Sequence, residues 1–163
     1  MTIVVGPRGL GKTVVMATLR DHPYEASNFI VDLATGDSGA RAGFFAVVLP
    51  EALIDEVAYR SGADRTQEAR KQPGLAKYGH LVLKRGLIGS TDLWEWWRQA
   101  RSGDVAVDRN ISVTLLDEAG AEVWRWRFRN AFPVGYRVLP LEAGCSDIAV
   151  EELTLTFDSM DIE

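Results

Sequence analysis

Residues that build metal and redox centres are scarce in this chain. Its 163 residues include one cysteine, Cys145, and two histidines, His22 and His80. A single cysteine excludes an internal disulfide and fits a reducing compartment. Cys145 has no base near it in sequence and reads as inert. His80 lies on a predicted strand and reads as a packed or surface histidine, so a dedicated zinc site has too few ligands. Long apolar runs are also missing. Thr2–Val5 is too short for a signal-peptide core, and no run approaches the length that spans a bilayer. The formal net charge of −5 disfavours a general nucleic-acid binder, while leaving a local basic face open.

Hydrophobic content of 47% and charged content of 25% are ordinary for a globular domain, and the length allows one real core. Most of the chain alternates with period two, the mark of β-strands. Strands are expected at Asn28–Leu33, Ala42–Leu49, Leu53–Arg60, His80–Arg85, Asn110–Leu116, Glu122–Phe132 and Ile148–Phe157. Ala42–Leu49 is apolar on both sides, as a strand buried on two faces would be. Asp117–Ala121 (DEAGA) signals a hairpin with Gly120 in the turn. Residues 61–79 are polar, charged and glycine-rich, and read as one long loop. That length exceeds the about 12–15 residues beyond which loops are usually functional or disordered.

One helix is predicted, over about 91–102. Leu93, Trp96, Trp97 and Ala100 recur at i, i+3, i+4 and i+7 and form one apolar stripe. Ser90, Thr91 and Asp92 supply the amino-terminal cap, and Gly103 supplies the stop. Trp94 stands at the edge of the stripe, where it can reach a subunit boundary.

The sharpest local motif is GPRGLGKT. Gly6, Gly11, Lys12 and Thr13 satisfy the phosphate-loop pattern, whose glycines and helix terminus surround an anion. Its context contradicts it. The segment after Thr13 is broken at Asp21-His22-Pro23, and the following strands lack the crossovers that a parallel sheet needs. Asp117, at the end of an apolar run, could imitate a magnesium ligand, but its strand–turn–strand setting suits a hairpin acid. The motif therefore reads as a decoy, with a small nucleotide-binding protein as the alternative.

From Met16 onward the chain resembles the inner-tube proteins of contractile tails, those of phages and of extracellular contractile injection systems. The resemblance is carried by DHPYEASNFIVDL (21–33), ARKQPGLAKYGHLVLKRG (69–86), GSTDLWEWW (89–97), VTLLDEAG (113–120) and WRWRFRNAFPV (124–134). It leaves 1–15 as an amino-terminal extension outside a single domain, 16–163. Pro50 stands where the family usually carries a Ser-Gly-Leu-Glu-like turn, so a main tube subunit and a tube-initiating variant both remain open.

The resemblance implies a mainly β fold, with two packed antiparallel sheets forming a small barrel or sandwich beside one helix. It implies hexameric rings stacked into a hollow tube that is ejected when a sheath contracts. It implies no catalysis and no cofactor. Partners would be further copies of the chain, the sheath protein, and baseplate, tube-initiator and terminator proteins. Cargo or DNA would pass through the lumen without specific binding, and no membrane is involved. The setting would be the cytoplasm during assembly, then a virion tail or contractile particle.

By the same resemblance, Ala42–Leu49 and Leu53–Arg60 are assigned to a lumen-facing hairpin, with Phe44, Ala46, Val48, Asp55, Val57 and Tyr59 on the lumen side. Residues 61–79 are either a plain surface loop or a contact arm to the next ring. Contact candidates are Arg60, Asp64, Arg65, Arg70, Lys71, Lys77 and Tyr78. Along Glu122–Phe132, alternation puts Trp124, Trp126, Phe128 and Phe132 on one face and Arg125, Arg127 and Arg129 on the other. Those arginines could be a solvated face, partners of carboxylates such as Glu151 or Glu152 of the same subunit or a neighbour, which makes them inter-subunit contact candidates, or a contact for nucleic acid or cargo.

Overall fold

The computed structural model describes residues 22–34, 43–59, 70–103, 107–144 and 146–163. The phosphate-loop motif, Arg60, Asp64 and Arg65 lie outside the described residues, as does the proposed extension 1–15. Nine strands and one helix follow in chain order. They are β1 (Phe29–Asp32), β2 (Phe44–Val48), β3 (Ala52–Tyr59), β4 (Arg70–Tyr78), β5 (Leu81–Gly86), α1 (Asp92–Arg101), β6 (Arg109–Leu116), β7 (Glu122–Val138), β8 (Val150–Thr156) and β9 (Ser159–Ile162). Every strand pairing among the described residues is antiparallel.

The two layers share one strand. β7 is 17 residues long; its first half pairs with β6 and β9, and its second half with β8. One layer is therefore β1-β6-β7-β9 and the other β7-β8-β5-β2. The corner between them is at Asn130, which takes a left-handed φ of 52°. Asparagine tolerates that conformation better than most residues. Its side-chain amide donates to Asp158 at 2.8 Å, and its backbone N–H donates to Asn110 Oδ1 at 3.2 Å. The register shifts here, and an extra residue in one strand flips its side-chain parity.

That flip corrects one expectation. Phe128 is fully buried, but beyond the corner Ala131 and Pro133 turn inward and Phe132 outward. A second shift, between Leu115 and Leu116, buries Val123 and leaves Trp124 exposed. The four aromatics therefore do not share one buried face. The result is a sandwich-like packing of two sheets rather than a closed barrel.

The core between the layers contains Val31, Leu81, Leu83, Ile111, Val113, Phe128, Leu153 and Leu155. α1 seals it with Leu93 and Trp96, each 1% exposed, while Trp97 and Ala100 are half-buried. The indole N–H of Trp96 donates to the Val107 carbonyl at 2.9 Å, and the Arg109 guanidinium lies over its ring at 4.2 Å. Thr91 occupies the N-cap position without a side-chain bond. Ser90 instead donates to Asp92. Gly103, with φ of 76°, ends the helix by donating to Ala100 O.

Two further expectations change. Among the described residues β2 is an edge strand, paired only with β5. Phe45 and Val48 are exposed on it, so its second apolar face is uncovered in a single chain. Residues 61–79 are not loop throughout: β4 occupies Arg70–Tyr78 and pairs with β3 from Ala52↔Tyr78 to Tyr59↔Arg70. Pro73 and Gly74 hide this strand from a reading by pattern. A two-stranded ribbon has outer edges that tolerate proline, and a bulge absorbs Gly74. A Cβ at Gly74 would lie 2.9 Å from the Asp55 carbonyl oxygen, so only glycine fits there.

Trp96 closes the core with its ring and holds Val107 with its N–H. Trp96→Ala is expected to destabilise the fold by about 3–5 kcal/mol, measured by urea unfolding. A loss below about 1 kcal/mol would show that the helix is not a structural seal.

Candidate functional site

β3 and β4 form a ribbon that pairs with no other strand among the described residues. Its ends meet at the body, where Gly79 N–H donates to Glu51 O at 2.8 Å. Every side chain described on it is exposed, including Leu53, Ile54, Val57 and Leu75. Two ion pairs cross the ribbon, Lys77–Asp55 at 2.6 Å and Lys71–Glu56 at 2.9 Å. All four side chains are largely solvated, so each pair contributes little. Tyr78, at the root, packs against Phe157 with ring centroids 5.5 Å apart. An isolated two-stranded ribbon is marginal in water at best, and this one has apolar groups with nothing over them.

The residues expected to form one lumen-facing hairpin are separated. β2 pairs with β5, and β3 with β4, so the two segments do not pair with each other. Phe44 lies in the core, which removes it from any lumen surface. Ala46 is half-buried, while Val48 and Val57 are exposed and Asp55 is paired with Lys77. Tyr59 and Arg70 end their strands, and only their backbones are described.

The three arginines of β7 do meet carboxylates, but not those of Glu151 or Glu152. Arg125 pairs with Glu122, Arg127 with Glu163 at 3.0 Å, and Arg129 with Asp161 at 2.8 Å. Two of these partners come from the chain end at β9, whose pairing with β7 no local pattern announces.

Glu151 and Glu152 serve a different purpose. Arg85 Nε donates to Glu151 Oε1 at 2.5 Å, with both side chains almost fully buried. The same guanidinium forks onto both oxygens of Asp92 at the start of α1. Tyr136 Oη donates to the other oxygen of Glu151 at 2.9 Å. Burial, then the bond to Glu151, pushes the Tyr136 hydroxyl up to about 12. The Arg85 hydrogen bond holds the Asp92 carboxyl at about 2 against the opposing effect of burial. Burial would lower the pKa of Arg85, but its bonds to Asp92 and Glu151 outweigh that and raise it. On the opposite face of β8, Glu152 sits between Lys84 at 3.2 Å and Arg137 at 2.8 Å. Burial alone would raise the pKa of Glu152, but bonds to Arg137 and Lys84 bring it below the usual range.

The sequence reading overlooked this cluster, although a signal was there. Leu81, Leu83 and Arg85 share one alternation phase, and so do Glu151, Leu153 and Leu155. A charge in the buried phase of each neighbouring strand marks a buried pair.

Nothing described resembles a reaction centre. No group of three potential metal ligands occurs among the described residues. The Asp117 carboxylate accepts from the N–H groups of Ala119 and Ala121 at 2.9 and 2.8 Å, and so shapes the β6–β7 turn. Gly120 adopts the positive φ that the turn requires. No described helix is long and apolar enough to cross a membrane.

The model of the family described as T4-like virus tail tube protein gp19 matches residues 25–161. Among solved structures, a chain of an extracellular contractile injection system, the PVC sheath–tube complex in the extended state, is 28% identical. Its TM-score is 0.75, over 88% of this chain and 93% of that one. A chain of the PVC sheath/tube terminator is also 28% identical, with a TM-score of 0.76 over 88% and 98%. A chain of the anti-feeding prophage tube-terminating cap is 25% identical, with a TM-score of 0.76 over 93% and 97%. No curated protein matches the sequence.

Removing Arg85 leaves Glu151 buried without a counter-charge. Arg85→Ala is expected to destabilise the fold by about 3–5 kcal/mol at neutral pH, measured by urea unfolding. The variant should also lose part of the acid sensitivity. A folded-state pKa below the unfolded 3.8 gives stability that is present above 3.8 and lost as pH falls through about 2. Wild type should lose this contribution across that window, and Arg85→Ala should show a flatter profile there.

Proposed function

The chain belongs to the T4-like virus tail tube protein gp19 family and is an inner-tube subunit of a contractile tail or injection system; from this premise we propose how it works. Copies close into rings, six to a ring as the family resemblance implies, and the rings stack into a hollow conduit. The chain performs no reaction. It supplies a rigid tube wall that a contracting sheath drives outward, capped by terminator and baseplate proteins. Cargo passes through the lumen without a dedicated binding site, and no membrane partner is needed.

The observation that carries this reading is the β3–β4 ribbon. Both of its faces are open, its apolar side chains are uncovered, and the edge strand β2 beside it exposes Phe45 and Val48. Open strand edges with apolar faces invite uncontrolled pairing unless another chain completes them. A head-to-tail contact that closes after a fixed rotation provides that completion without leaving a free edge. In this reading Lys71, Lys77 and Tyr78 belong to contacts between copies. Val48, Asp55 and Val57 belong to the wall the copies build together. Arg127 and Arg129 hold the chain end in place and Arg125 pairs with Glu122, which leaves little positive charge for nucleic acid.

The ribbon can be removed cleanly, because Glu51 and Gly79 already touch. Replacing residues 52–78 with a short Gly/Ser linker should leave a folded monomer by light scattering and circular dichroism. The intact chain should form rings or tubes by electron microscopy, and Lys12→Ala should do the same. An intact chain that stays strictly monomeric at high concentration would overturn the reading. ATP binding by calorimetry that is lost in Lys12→Ala would favour the nucleotide-binding alternative.

A further inference from the structure

The ribbon leaves the body at one end of β5, and a groove opens at the other. The strand runs from Leu81, beside the ribbon's root, to Gly86, roughly 17 Å away at about 3.3 Å per residue. Beyond Gly86, Leu87 N–H donates to Ala149 O, and Leu139 N–H donates to Val150 O. These bonds anchor the ends of the 139–149 connection, and residues 139–143 and 147–149 line an open groove of about 730 Å³. Leu141 and Ile148 on its walls are 73% and 80% exposed. Ile88, in the connection before α1, is also 72% exposed. The groove also carries Glu142 and Asp147. Several bulky aliphatic side chains exposed together, rimmed by acids, mark a contact surface rather than scattered exposure.

The same chain carries a complementary shape. β4 reads RKQPGLAKY, with three basic residues and no acid. Leu75 stands out from its bulge, 78% exposed, between Lys71 and Lys77. The present partners of those lysines, Glu56 and Asp55, form solvated pairs weak enough to be shared or exchanged.

We propose that the 139–149 groove is the socket for β4 of a copy in the adjacent ring. Leu75 enters between Leu141 and Ile148, and Lys71 and Lys77 face Glu142 and Asp147. Knob and socket lie at opposite ends of the same strand, so this contact cannot be satisfied within one chain. It joins copies head to tail and repeats along an axis. The apolar contact supplies affinity, and the charges set register and exclude wrong offsets. The inference rests on the tube reading and adds to it the axial interface.

The experiment separates rings from tubes. Leu75→Asp and Ile148→Asp are each purified, checked for wild-type circular dichroism, and examined by mass photometry and electron microscopy. Each should keep ring mass and shorten tubes by about tenfold or more, as loss of a central apolar anchor would. A charge-exchange pair guards against nonspecific damage. Glu142→Lys should shorten tubes, and adding Lys77→Glu should restore part of the length. Tubes of wild-type length in both aspartate variants would overturn the axial assignment. So would loss of rings along with tubes, which would move the contact inside the ring. A wild-type chain that makes neither rings nor tubes would overturn the tube reading itself.

Discussion

Both layers of this fold depend on one bend. β7 must pair with β6 and β9 in its first half and with β8 in its second, and it can do so only by turning at Asn130. The turn needs a residue that accepts a left-handed backbone and keeps its polar groups bonded. Asn130 meets both conditions, through Asn110 and Asp158. The same bend decides what each layer shows the outside. Before it, alternation sends Phe128 inward and Arg127 and Arg129 outward; after it, the phase reverses and Ala131 and Pro133 close the core. β8 and β9 then follow the bend on the other side, one on each half of β7. This brings Glu163 and Asp161 to the arginines and Glu151 to Arg85.

The Arg85 cluster is the second constraint, because it joins three elements that have no covalent reason to hold one another. One guanidinium ties β5 to β8 through Glu151 and to the first turn of α1 through Asp92. Buried charges are rarely a net source of stability, since taking them out of water opposes the attraction they gain. Their use here is positional. A hydrophobic contact would let α1 slide along the sheet, whereas a forked guanidinium accepts one placement of Asp92. A fixed helix also fixes the 86–91 connection beside the groove, so buried electrostatics hold a surface apolar contact in shape.

Much of the sandwich was legible in the sequence, because its layers alternate and its helix carries an amphipathic stripe. Leu93 and Trp96 fell where the stripe put them, Gly103 ended the helix, and Gly120 turned the hairpin. What escaped did so for identifiable reasons. β4 hid because Pro73 and Gly74 look like loop residues unless the strand is known to be an unsheltered ribbon. The inward positions of Val123 and Ala131 depend on register shifts, which local alternation cannot reveal. The partners of Arg127 and Arg129 come from more than 30 residues away, so composition could suggest carboxylates but not which ones. The two faces of Ala42–Leu49 were read as both buried. In a single chain one of them is bare, and a neighbouring copy laid over it would reconcile the pattern with the fold.

That last mismatch bears on how one polypeptide makes a tube. A domain that buried all its apolar surface would be a stable monomer with no reason to assemble. This chain instead leaves bare apolar surface at two places that cannot meet within it: the β2 edge with its adjoining ribbon, and the groove at the far end of β5. In the proposed assembly, a lateral contact through the first would close on itself after a whole number of copies and stop. The proposed axial contact through the second would never close, so growth along that direction would end only at a cap or a baseplate. Sharing the ribbon between the two contacts couples them. A ribbon ordered by its lateral neighbours presents Leu75 in a fixed place, whereas in a lone chain the ribbon is marginal and presents it poorly. On the proposed contacts, ring closure would precede stacking, because the knob would be formed only once the ring holds it.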